Sequence, residues 1–195
     1  LSGLPSPTRA EHVFQDMNGR IPLILDGGEC AVGVESTVIA VGEDFVRLLR
    51  PGGITVEMLS RYCRVEVDGG VLHRLADGEK ALSPGMKYKH YAPKANVIIL
   101  DGGAEDFVEY VRAHQGPGVW AMAFEGEEGA WEVPSLPLGR RGDGLSQARV
   151  LFDRLRECDE KGARTVYVPM PEKDGVGLAV YNRLLRAAGF TVVAL

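Results

Sequence analysis

Ser83-Pro-Gly-Met-Lys-Tyr-Lys-His-Tyr-Ala-Pro93 divides this sequence into two parts with different rhythms. Prolines near both ends keep the stretch out of a regular helix and out of a central strand. Within it lie Tyr88 and Tyr91, Lys87 and Lys89, and His90. Two aromatic rings and three potential cations on an extended segment suit an adenine ring and a polyphosphate. An ordinary linker is rich in Gly, Ser or Pro and carries no such chemistry. A solvated basic connector is the plainer alternative, and two tyrosines in one short loop count against it.

Beyond Pro93, strand-sized and helix-sized patterns alternate. Strands are expected at 97–100, 118–124, 165–168 and 191–195, and helices at 105–114, 145–161 and 178–188. In the second of these helices Ala148, Leu151, Phe152, Leu155 and Cys158 share one face at helical spacing. Residues 126–144 read as a polar, Gly-rich loop. This alternation predicts a parallel, three-layer, Rossmann-like α/β domain.

Before the linker, Pro22–Leu25, Thr37–Val41 and Phe45–Leu49 read as strands between Gly/Pro turns. A helix is expected over 8–17, with Thr8 as N-cap and Glu11 completing a capping box. A second short helix is expected over 55–62. The fold class is therefore α/β: a sheet-rich α/β unit over residues 1–67, an ordered linker over 68–94, and the three-layer domain over 95–195.

The 195 residues carry a net charge of −5, with 45% hydrophobic and 25% charged residues. That composition is ordinary for a soluble globular protein. An acidic balance argues against a general nucleic-acid or anionic-membrane binder. No apolar run approaches the ~20 residues that a membrane span needs, so no membrane is expected and a cytoplasmic location is. Cys30, Cys63 and Cys158 are far apart and form no Cys-x-x-Cys or His/Cys cluster, so reduced, mostly buried thiols are expected. The chain begins at Leu1, inside a turn-rich stretch and without Met, which reads as an internal cut.

Ser2-Gly-Leu-Pro-Ser-Pro-Thr8 places hydroxyls in a proline-stiffened turn before a helix start, where an anion is favoured. Alone, a capped turn explains it equally well. Asp26-Gly-Gly28 followed by Gly33-Val-Glu-Ser-Thr-Val38 is more specific, because glycines let backbone approach a ligand. Strand alternation sends Ser36 and Thr37 to opposite faces, so one hydroxyl enters a pocket. Glu35 either orients that hydroxyl, pairs with a cation or is solvated. Arg50-Pro-Gly-Gly53 fixes an arginine at a strand end, as bidentate phosphate recognition requires.

Ser-Gly-x-Pro-Ser-Pro-Thr, Gly-Val-Glu-Ser-Thr-Val, Leu-Arg-Pro-Gly and the proline-bounded linker resemble, in order and spacing, the Sua5/YrdC family. Gly175-Val-Gly-Leu-Ala-Val-Tyr-Asn-Arg-Leu-Leu-Arg-Ala-Ala188 resembles the closing signature of the C-terminal domain of its Sua5-type members. The resemblance covers essentially the whole chain. It implies L-threonylcarbamoyladenylate synthesis, a nucleotidyltransferase reaction in which L-threonine, bicarbonate and ATP give threonylcarbamoyl-adenylate and pyrophosphate. That reaction is the first step toward t6A in tRNA, and its product goes to downstream transfer machinery.

Carried over by position, Ser6 resembles an ATP contact, Arg50 an ATP-phosphate contact and Ser36 an L-threonine contact. Tyr91 or Tyr88 resembles the residue that closes over the nucleotide, with Tyr91 slightly favoured. Lys87, Lys89 and His90 are weaker candidates for neutralising phosphate. No side chain is assigned a covalent catalytic or metal-ligating role, and Mg²⁺ is expected on the phosphates without a dedicated protein cage.

The resemblance implies that the family's N-terminal half is missing from this sequence, so residues 1–67 are expected to be the C-terminal part of an incomplete YrdC-like catalytic domain. The expectation is a fragment that is inactive alone and that exposes an unpaired sheet edge or apolar patch unless another chain completes it. In the family the C-terminal domain is regulatory or lid-supporting. Asn182 and Arg183 are assigned to packing or the domain interface, and the 138–144 loop to a mobile surface turn. The alternatives are a non-catalytic nucleotide- or RNA-binding module and a purely structural domain.

Overall fold

The computed structural model describes residues 3–74 and 91–195. Two sheets organise them. The five-stranded sheet comprises β4 (Asn96–Asp101), β5 (Val119–Ala123), β6 (Ser135–Pro137), β7 (Thr165–Pro169) and β8 (Val192–Ala194). Its order is β6-β5-β7-β4-β8 and every pairing is parallel. Parallel strands need covered faces, so their residues are apolar on both sides. Val97 and Ile99 of β4 pack with Leu151, Phe152 and Leu155 of α5 (Gly144–Glu160) and Leu184 of α6 (Gly177–Ala187). Leu100 faces the other way, with Phe107 and Val111 of α4 (Ala104–Ala113). The expected three layers are present, and all five residues of the expected α5 face are fully buried.

The smaller sheet comprises β1 (Val38–Val41), β2 (Phe45–Arg50) and β3 (Arg64–Val67). β1 and β2 run antiparallel, and β2 and β3 parallel. Leu48 of β2, Val71 of the short α3 (Gly69–Leu72) and Tyr91 join the same core cluster as α5 and α6. The two sheets thus share packed apolar contact. No helix among the described residues is long and apolar enough to cross a membrane.

Several local expectations are corrected. Pro22–Leu25 is not a strand; Leu23 and Leu25 are 70% and 85% exposed, with no sheet partner to seat them. β3, with charged residues alternating in a short run, and β6, inside the Gly-rich loop, were not anticipated. Thr8 does not cap α1 (Ala10–Met17): the N-cap is Arg9, without a side-chain cap bond. Thr8 N–H instead donates to His12 Nδ1 at 3.1 Å, which removes the capping box. α2 (Val56–Leu59) is shorter than expected, and there Thr55 accepts from Met58 N–H as a true N-cap. Of the three cysteines only Cys158 is buried, and Cys30 is exposed. Burial pushes the Cys158 thiol up to about 12.

Candidate active site

The Gly33–Val38 stretch leads into β1, and β2 ends beside it at Arg50. Gly52 makes that approach possible. A Cβ there would lie 2.5 Å from the Glu35 carbonyl oxygen and 2.5 Å from the Thr37 nitrogen. Gly33 serves a similar purpose against α5: its φ is +82°, and a Cβ would sit 2.3 Å from the Ala148 carbonyl oxygen.

Arg50 Nε donates to the Ser36 carbonyl at 3.0 Å, and an Arg50 terminal nitrogen donates to Ser36 Oγ at 3.1 Å. One guanidinium edge therefore holds the carbonyl and the hydroxyl of one residue. Ser36 takes two of the five Arg50 donors among the described residues, and a guanidinium suits planar anions with the rest. Thr37 faces elsewhere. Its hydroxyl donates to the Ile54 carbonyl at 2.7 Å and accepts from Ile54 N–H at 3.1 Å, a structural clamp. The two hydroxyls therefore have different partners, Arg50 for Ser36 and Ile54 for Thr37.

Glu35 is not solvated. Ser6 Oγ donates to its Oε1 at 2.5 Å, and Arg183 Nε donates to its Oε2 at 2.7 Å. Burial alone would raise this carboxyl. The Arg183 charge and the bonds from Ser6 and Arg183 outweigh burial and hold it below the usual carboxylate range. The Tyr91 hydroxyl also bonds Glu35, and burial followed by the Glu35 charge pushes that phenol up. Arg183 and Arg50 both act on it in the opposite sense.

Tyr91 itself has φ of +61°, a genuine outlier for a bulky residue. Such strain is of order 1–3 kcal/mol and persists where surrounding structure over-determines the residue. Its ring packs on Phe152 with centroids 5.4 Å apart, and Arg183 Cζ lies 5.6 Å from the ring centre. At 4% exposure, Tyr91 is a wall of the site rather than an open stacking platform.

Ser6, Glu35, Tyr91 and Arg183 thus form one polar cluster, and the Arg50–Ser36 pair adjoins it, through the Glu35–Ser36 peptide and the Arg50 charge acting on Tyr91. Tyr88, Lys87, Lys89 and His90 lie outside the described residues. Among the described residues no group of three or more His, Cys, Asp and Glu side chains could hold a metal ion.

Arg183, expected to serve packing or the domain interface, lies in this cluster. It is fully buried on α6 and paired with Glu35. The signal available was its place beside Asn182 on a largely apolar helix, where a charge demands a partner. Gly177 is explained by packing, since a Cβ there would lie 2.7 Å from the Glu172 carbonyl oxygen. The 138–144 turn is tied down: Arg140 N–H donates to Ser146 Oγ, and Arg140 O accepts from Gln147. A separate apolar hollow, lined by Phe107, Val108 and Trp131 beside α4, holds none of the cluster residues.

Comparison with known proteins decides the family. Residues 54–189 match the family model described as threonylcarbamoyl-AMP synthase, C-terminal domain. This chain belongs to the Sua5 family. Residues 1–52 match a second model, Sua5–YciO–YrdC, described as telomere recombination. The chain is 41% identical over 197 residues to a threonylcarbamoyl-AMP synthase of Bacillus subtilis, covering 99% of this chain and 56% of that protein. It is 39% identical over 201 residues to the Pyrococcus abyssi protein of that name, covering 99% and 57%.

Among solved structures, P. abyssi Sua5 complexed with L-threonine superposes with a TM-score of 0.81 at 35% identity. That match covers 100% of this chain and 57% of the other. This Sua5 chain therefore spans little more than half the length of these relatives. The relatives carry an enzyme's name, threonylcarbamoyl-AMP synthase, and the α/β architecture is that of Sua5 structures.

Proposed function

We propose that this chain supplies part of an L-threonylcarbamoyladenylate synthase, and that Ser6, Ser36, Arg50 and Tyr91 belong to its ATP and L-threonine site. The observation that carries this reading is the double hold of Arg50 on Ser36 beside the Ser6–Glu35–Tyr91 group. Residues 1–67 would be part of the catalytic unit, 68–94 the linker and 95–195 the C-terminal domain.

In the reaction, the threonine amine takes up bicarbonate with loss of water to form a carbamate. A carbamate oxygen attacks the α-phosphorus of ATP, the bond to the β-phosphate oxygen breaks, and pyrophosphate leaves. Both reactants are anionic, so the protein's task is alignment and charge compensation rather than covalent catalysis. Arg50 would bind the nucleotide phosphates while presenting the Ser36 hydroxyl toward threonine. Ser6, oriented by Glu35, would face the nucleotide. Tyr88 remains a candidate for closing over the base. Mg²⁺, carried on the phosphates, would neutralise their charge. The product would pass to the machinery that transfers the threonylcarbamoyl group to tRNA.

The chain is proposed to need a further polypeptide segment, corresponding to the part of the relatives that it does not span. Leu23, Leu25, Val41 and Tyr62 are 70–88% exposed, and β1 is an edge strand, a combination that favours coverage by another segment. The test measures pyrophosphate release with ATP, bicarbonate and L-threonine. The completed protein should turn over only when threonine is present, and this chain alone should not. Threonine-independent behaviour of the completed protein would contradict the proposal. So would adenylate formation by this chain alone, for its fragment part.

A further inference from the structure

α6 holds chain on both sides of residues 75–90. Asn182 Nδ2 donates to the Val71 carbonyl at 2.7 Å, Tyr181 OH to the Leu72 carbonyl at 3.3 Å, and Arg186 to the Gly70 carbonyl. On the other side, Arg183 lies against the Tyr91 ring. Arg183 is 0% exposed. Its Nε bonds Glu35 and its Nη1 bonds Asn182 Oδ1 at 3.0 Å, while the buried Nη2 has no partner among the described residues. Glu35 in turn holds the Ser6 hydroxyl and the Tyr91 hydroxyl.

A carboxylate is an awkward neighbour for a site that takes triphosphate and carbamate, because like charges repel strongly where water is scarce. An amide or hydroxyl acceptor would avoid the repulsion. A carboxylate fits only if a fixed cation neutralises it from the protein side. From this geometry we infer that Arg183 is a positioning residue of the site: from the C-terminal domain it neutralises Glu35, which then holds Ser6 and Tyr91 without opposing the anionic substrates. The inference rests on the function proposed above. It gives the C-terminal domain a part in ATP binding, through one ion pair.

The test compares four forms of the completed protein: wild type, Arg183→Met, Arg183→Lys and Arg183→Met with Glu35→Gln. Arg183→Met should raise KM for ATP about tenfold or more, with a smaller change in kcat. The double variant should recover most of that rise, because the glutamine keeps a polar partner for Ser6 and Tyr91 and brings no charge. Arg183→Lys should stay within a few-fold of wild type, and this arm stands if the Met variant fails to fold. A purely structural arginine would lower the thermal midpoint with KM for ATP unmoved. An unmoved KM, a double variant no better than the single one, or a folded Lys variant as impaired as Met each overturns the inference. An active wild type with these results leaves the functional reading standing, whereas a wild type inactive toward threonine and ATP overturns both.

Discussion

Arg50 and Ser36 are joined twice, through the serine carbonyl at 3.0 Å and its hydroxyl at 3.1 Å. The arginine comes from the end of β2 and the serine from the entry to β1, so strand pairing sets their separation. Hydrogen bonds that involve a charged group contribute about 1.5–3 kcal/mol, and 1.4 kcal/mol is tenfold in affinity. Ser36→Ala should therefore weaken threonine use by about tenfold or more in the completed protein. Steady-state kinetics with varied threonine checks it, with thermal melting as the control for folding.

Gly52→Ala places a methyl group against the backbone of Glu35 and Thr37. Neither atom belongs to a flexible side chain, so the segment that enters β1 must shift. Overpacking of this kind typically costs about 1–3 kcal/mol. Denaturant unfolding of the variant should show that loss, and ATP affinity should fall with it because the Arg50–Ser36 separation changes.

Phe152→Ala removes a fully buried ring of α5 that also seats Tyr91. Such truncations cost about 3–5 kcal/mol. The midpoint of chemical unfolding should drop accordingly. Phe152→Leu, which keeps most of the volume, should lose much less.

Acid should destabilise the folded chain in two windows. His12 is 3% exposed and its pKa lies below the ordinary 6.5, through burial first and then the charges of Arg156 and Arg9, with Asp153 opposing. The unfolded chain therefore takes up that proton first, and stability falls as pH drops below about 6.5. Glu35 is also depressed, so its contribution is complete above the ordinary 4.5 and is lost as pH falls below it. Unfolding free energy measured against pH should show both declines. His12→Gln should remove the first, and Glu35→Gln should reduce the second, to which the depressed carboxyls of Asp16 and Glu57 also contribute.

The C-terminal layers were legible because apolar spacing is strong there: Leu151, Phe152 and Leu155 recur at helical intervals, and all are buried. Ser6, Ser36, Arg50 and Tyr91 were legible through glycine- and proline-bounded motifs, and the fold brings them to one place. Pro22–Leu25 misled because its apolar run satisfies a strand pattern that only a sheet partner can realise. Thr8 misled because His12, a neighbour in the folded turn, captured the interaction that a cap would have used. Arg183 stayed hidden because its partner, Glu35, is 148 residues away. No local pattern reports a pairing at that distance.

A crystal structure of the completed protein with ATP and L-threonine bound tests the proposed site most directly. The triphosphate should lie within hydrogen-bond distance of the Arg50 guanidinium, with threonine at the Ser36 hydroxyl and the Ser6–Glu35–Arg183 chain intact beneath them. Finding both ligands away from Arg50 and Ser36 would contradict the account.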